Sequence, residues 1–359
     1  MYEKLEEARE NTATVDFAQT VDKLGERVWP TAQLTMVEAD IRRLHQQIAA
    51  TIDGDEEWGP NNRKAARALI IVGPNGSSKS FSIDYALSRL PPVVLKSGIE
   101  VPANILYRES KQGDARGWLY DTLSALGYKM ARTPSPELAS ANIETRMRRF
   151  EYTMVAFDEL SRILQPRNYS SKRKLAEQAE VVWSQIIQIM SDPVWPTPVI
   201  ASGTLDLIDT LELHNQRTGE TVARGDMNRR ADVTTLPSLT MDDAEALEAY
   251  LDQYCKDAGV TNRLTANDEV GKRLVNASRR AIGTALSMSQ WAVALASMRR
   301  RGALHIEDLA HVLAIRAGIP FDANIFLLDN WEDINFEKVA PQDFGQARYR
   351  DADVDGDSL

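Results

Sequence analysis

"LIIVGPNGSSKSFSIDYAL", residues 69–87, decides the fold. An unbroken apolar run reaches Gly73, a turn follows, and Lys79 and Ser80 stand where a helix would open. A strand, a loop with inward-facing amides and a helix N-terminus together make a phosphate cradle. Gly73 closes the strand, Pro74 and Asn75 turn the chain, and Gly76 permits a positive φ or close approach to a phosphate. Lys79 is expected to reach the β- and γ-phosphates and Ser80 to bind Mg²⁺. Ser78 departs from the pattern, standing where the loop's second glycine is expected. If its φ is negative, the loop works unchanged. The expected ATP contacts are Gly73, Pro74, Asn75, Gly76, Ser77, Ser78, Lys79, Ser80 and Phe81.

A phosphate cradle needs an acid at the end of a second strand. "YTMVAFDEL", residues 152–160, supplies Asp158 for the magnesium shell and Glu159 as general base. A third apolar run, "PTPVIASGTLDL" (196–207), ends in small polar residues, and Ser202 or Thr204 is expected near the γ-phosphate. Either hydroxyl also reads as a helix N-cap. In "ARGDMNRRADVTTLPSLT" (223–240), Arg224, Arg229 and Arg230 offer an arginine for a neighbouring copy's γ-phosphate. "ASRRAIGTAL" (277–286) adds Arg279 and Arg280 as nucleotide-sensing candidates.

Around these motifs, short hydrophobic runs alternate with amphipathic helical patterns as far as about Leu239. That alternation predicts an α/β fold with a mainly parallel sheet covered on both faces. From Thr240, an expected N-cap, to Gly259 the pattern is helical, and further helices follow. The expected organisation is an extension at 1–64, an ATPase core at 65–238, a helical lid at 239–318 and an acidic C-terminal segment at 319–359. Within the extension, Val37, Ile41, Leu44 and Ile48 recur at helical spacing.

With 43% hydrophobic and 26% charged residues over 359 positions, the chain can bury a sizeable core. The single Cys255 excludes an internal disulfide, and four scattered His show no metal-ligand spacing. No apolar run approaches the roughly 18 residues of a membrane span, and "MYEKLEEARENTATVDF" lacks a signal-peptide core, so no membrane association and a cytoplasmic location are expected. A net charge of −10 argues against whole-surface attraction to nucleic acid, but basic runs persist in the middle of the chain. "PRNYSSKRK" carries Arg167, Lys172, Arg173 and Lys174; "ETRMRRF" carries Arg146, Arg148 and Arg149; "YRESKQ" carries Arg108 and Lys111. These are the candidates for phosphate contact with DNA.

Taken together, "ALIIVGPNGSSKS", "LYDTLSALGY", "VAFDEL", "PVIASGTLDL" and "MNRRADVTTLPSL" resemble an AAA+ ATPase and, more narrowly, the TniB/TnsC family of transposition regulators over about 65–315. The resemblance implies a DNA-stimulated ATPase using ATP and Mg²⁺. It implies head-to-tail homo-oligomers, rings or filaments, on duplex DNA of any sequence. It further implies a transposase and a target-selection protein as partners, with hydrolysis driving disassembly. A helicase loader or an insertion-sequence helper ATPase shares the same elements, and a nucleotide switch with little turnover is a further alternative.

Overall fold

The N-terminal stretch does not stand apart as one extension. In the computed structural model, which describes residues 16–51, 64–95, 98–111, 113–129, 132–217, 226–299, 302–320 and 323–334, it divides between two compact units. A helix over 16–25, α1, belongs to the unit formed by 1–30 and 238–359; α2, Ala32–Thr51, belongs to the unit at 31–237. Val37, Ile41, Leu44 and Ile48 of α2 are all buried, as their helical spacing requires.

The 31–237 unit is built on a parallel sheet. Its strands are β1 Ala68–Val72, β4 Ile105–Glu109, β5 Met154–Asp158, β6 Val199–Gly203 and β7 Ala231–Thr235, ordered β4-β5-β6-β1-β7. A short antiparallel hairpin joins β2 Val93–Val94 to β3 Glu100–Val101. The helices are α3 Lys79–Ser88, α4 Ala115–Ala125, α5 Pro136–Arg149, α6 Lys172–Ser191, α7 Asp206–Arg217 and the short α8 Asp226–Arg230. Both faces of β1 are covered: Ile70 and Val72 pack with Trp118, Ile143, Phe157 and Trp183, while Leu69 and Ile71 pack with Val37, Ile41 and Ile83. Burial on both faces explains why this strand reads as a continuous apolar run.

Parallel pairing brings the strand ends to one edge. Val72 lies opposite Gly203 and Thr235, and Glu109 lies opposite Asp158. The loop after β1, the acids at the end of β5 and the small residues at the end of β6 therefore gather at the carboxyl ends, where open α/β sheets bind ligands.

Among its described residues the second unit is helical, apart from a two-residue parallel bridge between β8, Thr261–Asn262, and β9, Ala303–Leu304. Its main helices are α9 Ala244–Ala258, α10 Val270–Ala277, α11 Ile282–Met298 and α12 Ile306–Ala317. Thr240 and Asp243 form a capping box ahead of α9, and Gly259 ends that helix at φ 66°. Leu24 is buried in this core, and Trp29 stacks on Tyr250 while its Nε1 donates to the Tyr254 hydroxyl at 2.7 Å. Cys255 lies in the same core, its thiol pushed up to about 12, chiefly by burial and then by the charge of Asp252. Gly271 is where α10 crosses α9, since a Cβ there would stand 2.2 Å from the Ala244 carbonyl oxygen. Gly271→Ala is expected to destabilise this unit by about 1–3 kcal/mol, read as an earlier denaturant midpoint.

Candidate nucleotide site and basic surfaces

The loop from Gly73 to Ser78 is stitched by its own backbone. The Ser77 N–H donates to the Pro74 carbonyl at 3.2 Å, and the Gly73 N–H donates to the Gly203 carbonyl at 3.2 Å. Lys79 is buried, and its Nζ donates to the carbonyls of Gly73 and Pro74, each at 3.0 Å. Burial holds the Lys79 amine below its usual range, and the carboxylates of Glu159 and Asp158 pull it partly back. The ammonium thus stays over the loop, in the electrostatic reach of the acid pair. Asn75 and Gly76 are exposed at the crown, and Ser80 is half-buried in the first turn of α3.

Ser78 fails the condition on which the loop was expected to work unchanged. It stands at φ 62°, ψ 23°, in the left-handed region, close behind Gly76 at φ 76°. The order of residues fits the cradle, but a glycine would adopt this backbone more readily. Left-handed backbone costs an L residue about 1–2 kcal/mol, and the Ser78 side chain makes no capping bond in return. Ser78→Gly relieves that strain against about 0.5–1 kcal/mol of added unfolded-state freedom. A net stabilisation of about 0.5 kcal/mol is expected in urea unfolding, with nucleotide affinity retained. Ser78→Val, β-branched at a positive φ, is expected to weaken nucleotide binding in a direct titration.

Asp158, 1% exposed, is fixed by three donors. Its Oδ1 accepts from the Ser202 hydroxyl and from the Glu159 N–H at 2.9 Å; its Oδ2 accepts from the Tyr107 hydroxyl at 2.7 Å. Tyr107 lies on β4, and its phenol is pushed far above its usual range, first by burial and then by the bond to Asp158, so it remains a donor. Glu159 follows at φ 57°, with Arg162 Nε 3.6 Å from its carboxylate; the same guanidinium donates to Glu109 at 2.6 Å. Of the two hydroxyls proposed beside the phosphate, Ser202 is the one bonded to the acid. The Thr204 N–H donates to Ser161 Oγ at 2.9 Å, and its own Oγ1 is buried without a partner. A Cβ at Gly203, between them, would meet Ser161 Oγ at 2.6 Å and displace that hydroxyl.

These groups fit a nucleoside triphosphate with magnesium. An ammonium, a carboxylate locked in one orientation and an unpartnered buried hydroxyl share one edge of the sheet. Ser80 and Asp158 are the residues that would hold the ion; among the described residues no cluster of three or more acids, His or Cys offers another site.

No protein-family model matches the chain, and no curated protein matches it. Solved structures do. The chain is similar to the ORC2 protein of Aeropyrum pernix in ADPNP–ADP complexes, with a TM-score of 0.54 at 12% identity over 82% of this chain and 71% of that one. It is similar as well to the ORC1 protein of Aeropyrum pernix in complex with DNA, with a TM-score of 0.50 at 13% identity over 80% of this chain and 69% of that one. The chain shares their fold, a five-stranded parallel sheet flanked by helices with a further helical unit.

The remaining candidates lie elsewhere, most of them at different edges of the 31–237 unit. Arg229 and Arg230 form the end of α8, just before β7, on the edge opposite the loop. Arg230 donates to the Ser191 hydroxyl, and the Arg229 carbonyl accepts from Arg67 at 3.1 Å. Arg146 and Arg149 also lie at that far edge, ahead of β5. Arg146 donates to the Leu126 carbonyl at 2.9 Å and stacks over Tyr128; Arg149 lies over Phe150. Arg148 is paired to Asp192 at 3.2 Å. Phe81 is on the exposed face of α3, stacked on Tyr85. Arg279 and Arg280 belong to the helical unit, in the turn between α10 and α11, at φ 53° and 61°.

On the near edge, Lys172, Arg173 and Lys174 open α6, whose N-cap Ser171 accepts from the Lys174 N–H. That first turn holds no acid. Arg173 bonds Glu177 at 3.1 Å from an exposed position. Arg224 and the side chain of Arg167 lie outside the described residues. No described helix is long and apolar enough to cross a membrane. Sequence reading missed Tyr107 and Arg162, whose roles depend on which strands become neighbours.

Proposed function

We propose that this chain is a DNA-bound AAA+ ATPase that regulates transposition, assembling head to tail on duplex DNA with ATP and Mg²⁺ and releasing on hydrolysis. The observation that carries the ATPase reading is Asp158, held by Tyr107, Ser202 and the Glu159 amide beside the Lys79 loop. Lys79 and the loop amides bind the phosphates and draw off charge as the terminal P–O bond breaks. Glu159 takes the proton of the attacking water. Magnesium, when bound by Ser80 and Asp158, adds Lewis-acid charge. Thr204 and Ser202 stand at the phosphate end, and Arg279 or Arg280 senses the nucleotide.

Arg229 and Arg230, on the edge away from their own loop, suit a role on the next copy's γ-phosphate, which a head-to-tail interface supplies. The transposition reading, with a transposase and a target-selection protein as partners, is supported by the order and spacing of the motifs shared with the TniB/TnsC family.

DNA contact is assigned to the start of α6. Cations beside the positive end of a helix dipole cost about 0.3–1 kcal/mol each, and a DNA phosphate relieves that repulsion. Neutralising Lys172, Arg173 and Lys174 together is expected to lower duplex affinity and to flatten the slope of log affinity against log salt by about 1 per lost contact. Fluorescence anisotropy over a salt series reads it; an unchanged slope removes α6 from the interface. ATP turnover measured with and without duplex DNA tests the wider reading, and no turnover in either would reject it.

A further inference from the structure

The main chain and the side chain of Glu159 are held by different groups. Its N–H donates to Asp158 Oδ1 at 2.9 Å and to Ser202 Oγ at 3.2 Å, and its backbone turns left-handed at φ 57°, ψ 35°. The 3₁₀ turn Leu160–Arg162 follows, and the Arg162 N–H donates to the Glu159 carbonyl at 2.9 Å. Side chains three apart eclipse in such a turn, which brings Arg162 over Glu159. Among the described residues no hydrogen bond reaches the Glu159 carboxylate, and Arg162, with Nε 3.6 Å from Oε2, is its one ion pair.

That separation matters chemically. At 3.6 Å the guanidinium orients the carboxylate by charge but lies beyond hydrogen-bond length, so both oxygens keep lone pairs for a water. The guanidinium is kept back by a closer partner: Arg162 Nη1 donates to Glu109 Oε1 at 2.6 Å, a charge-assisted bond. Glu109 ends β4 opposite Asp158, so strand register fixes this holder relative to the acid of the site. From the other side, Asn168 Nδ2 donates to the Arg162 carbonyl at 2.9 Å. Without Arg162, Glu109 and Glu159 would meet as like charges, and the Glu159 side chain would turn away. Folding stability does not account for the arrangement, because Arg162 and Glu109 are both exposed and exposed ion pairs add little to it.

We propose that Arg162 is a positioning residue for hydrolysis: held by Glu109, its guanidinium aims the Glu159 carboxylate at the attacking water without occupying its oxygens. This rests on the ATPase reading above and adds to it Glu109 and Arg162, which lie outside the nucleotide motifs.

The test uses the full chain and reads single-turnover hydrolysis, kcat and KM, a direct nucleotide titration and the urea midpoint for each variant. Arg162→Ala is expected to lower kcat about 10-fold, part of what a positioned base contributes, with KM, nucleotide affinity and urea midpoint unchanged. Arg162→Lys, a point charge without the planar fork, is expected to recover part of the rate. Guanidinium ion at millimolar concentration is expected to speed Arg162→Ala and to leave Glu159→Gln unmoved. In a Glu159→Gln background Arg162→Ala is expected to cost nothing further, since it acts through that carboxylate. Glu109→Gln frees the guanidinium to close on Glu159, and is expected to slow the native chain but not Arg162→Ala. Arg162→Ala turning over at the native rate overturns the role and leaves the ATPase reading intact. The role is overturned equally by a loss that guanidinium does not restore and that comes with a lower urea midpoint or weaker nucleotide binding, or by losses that add in the Glu159→Gln background. A native chain that hydrolyses no ATP rejects the ATPase reading itself, and this inference with it.

Discussion

Glu159→Gln lowers ATP turnover by about 10²–10⁴-fold, the contribution of a positioned general base, while nucleotide binding survives. Among the described residues no hydrogen bond or ion pair joins Glu159 to the loop. Its N–H donates to Asp158 and Ser202, and a Gln keeps that main-chain bond. The substitution therefore removes a proton acceptor and leaves the metal-side carboxylate where it was. Single-turnover hydrolysis beside a direct nucleotide titration separates the two effects. Arg162, 3.6 Å from the Glu159 carboxylate and also bonded to Glu109, keeps that carboxylate on the strand edge. If Glu159→Gln turns over at the native rate, the base is another group and the role assigned to Glu159 is wrong.

Asp158→Asn has the second large effect, and it reaches folding as well as chemistry. The carboxylate accepts from the Tyr107 hydroxyl on one oxygen and from Ser202 and the Glu159 N–H on the other. An amide offers one acceptor oxygen, so its NH₂ must face either Tyr107 or the Ser202 side. Asp158 is 1% exposed and its bond to Ser202 is buried, so no water relieves a conflict on that side. A loss of about 1–3 kcal/mol in unfolding free energy is expected, along with magnesium-dependent turnover. Adding Tyr107→Phe removes one of the competing donors and is expected to return part of the stability but none of the turnover. Full stability in Asp158→Asn alone would mean that the network around Asp158 is not structural.

The sheet was legible because buried parallel strands cannot alternate: "LIIV", "MVAF" and "VIAS" each stand out as strands bounded by helices. Thr240 and Gly259 were legible for a local reason, since caps are decided by a residue and its near neighbours. Ser78 was half legible. Its place in the loop is set by sequence, its left-handed φ by the closure of the loop onto α3. Tyr107 was hidden because its meaning comes from register: it pairs with Ala156 and so reaches Asp158, two residues along the next strand. The split of the N-terminal stretch was hidden as well. The helical spacing of α2 shows that it buries a face, but not that α1 and Trp29 turn instead to Tyr250 and Tyr254. Basic runs told least, for Arg146 and Lys174 read alike in sequence, and only the fold separates a guanidinium over a Tyr128 ring from an ammonium at a helix start.

The most direct test of the central claim is the size of the particle formed on linear duplex DNA, by sedimentation and negative-stain microscopy. It is measured with no nucleotide, with ATP and with a slowly hydrolysed analogue, for the native chain and for Lys79→Ala. Rings or filaments that appear with the analogue, shrink as ATP is consumed and are absent in Lys79→Ala are the predicted result. Monomers on or off DNA in every condition, or assemblies indifferent to nucleotide and to Lys79, would contradict it.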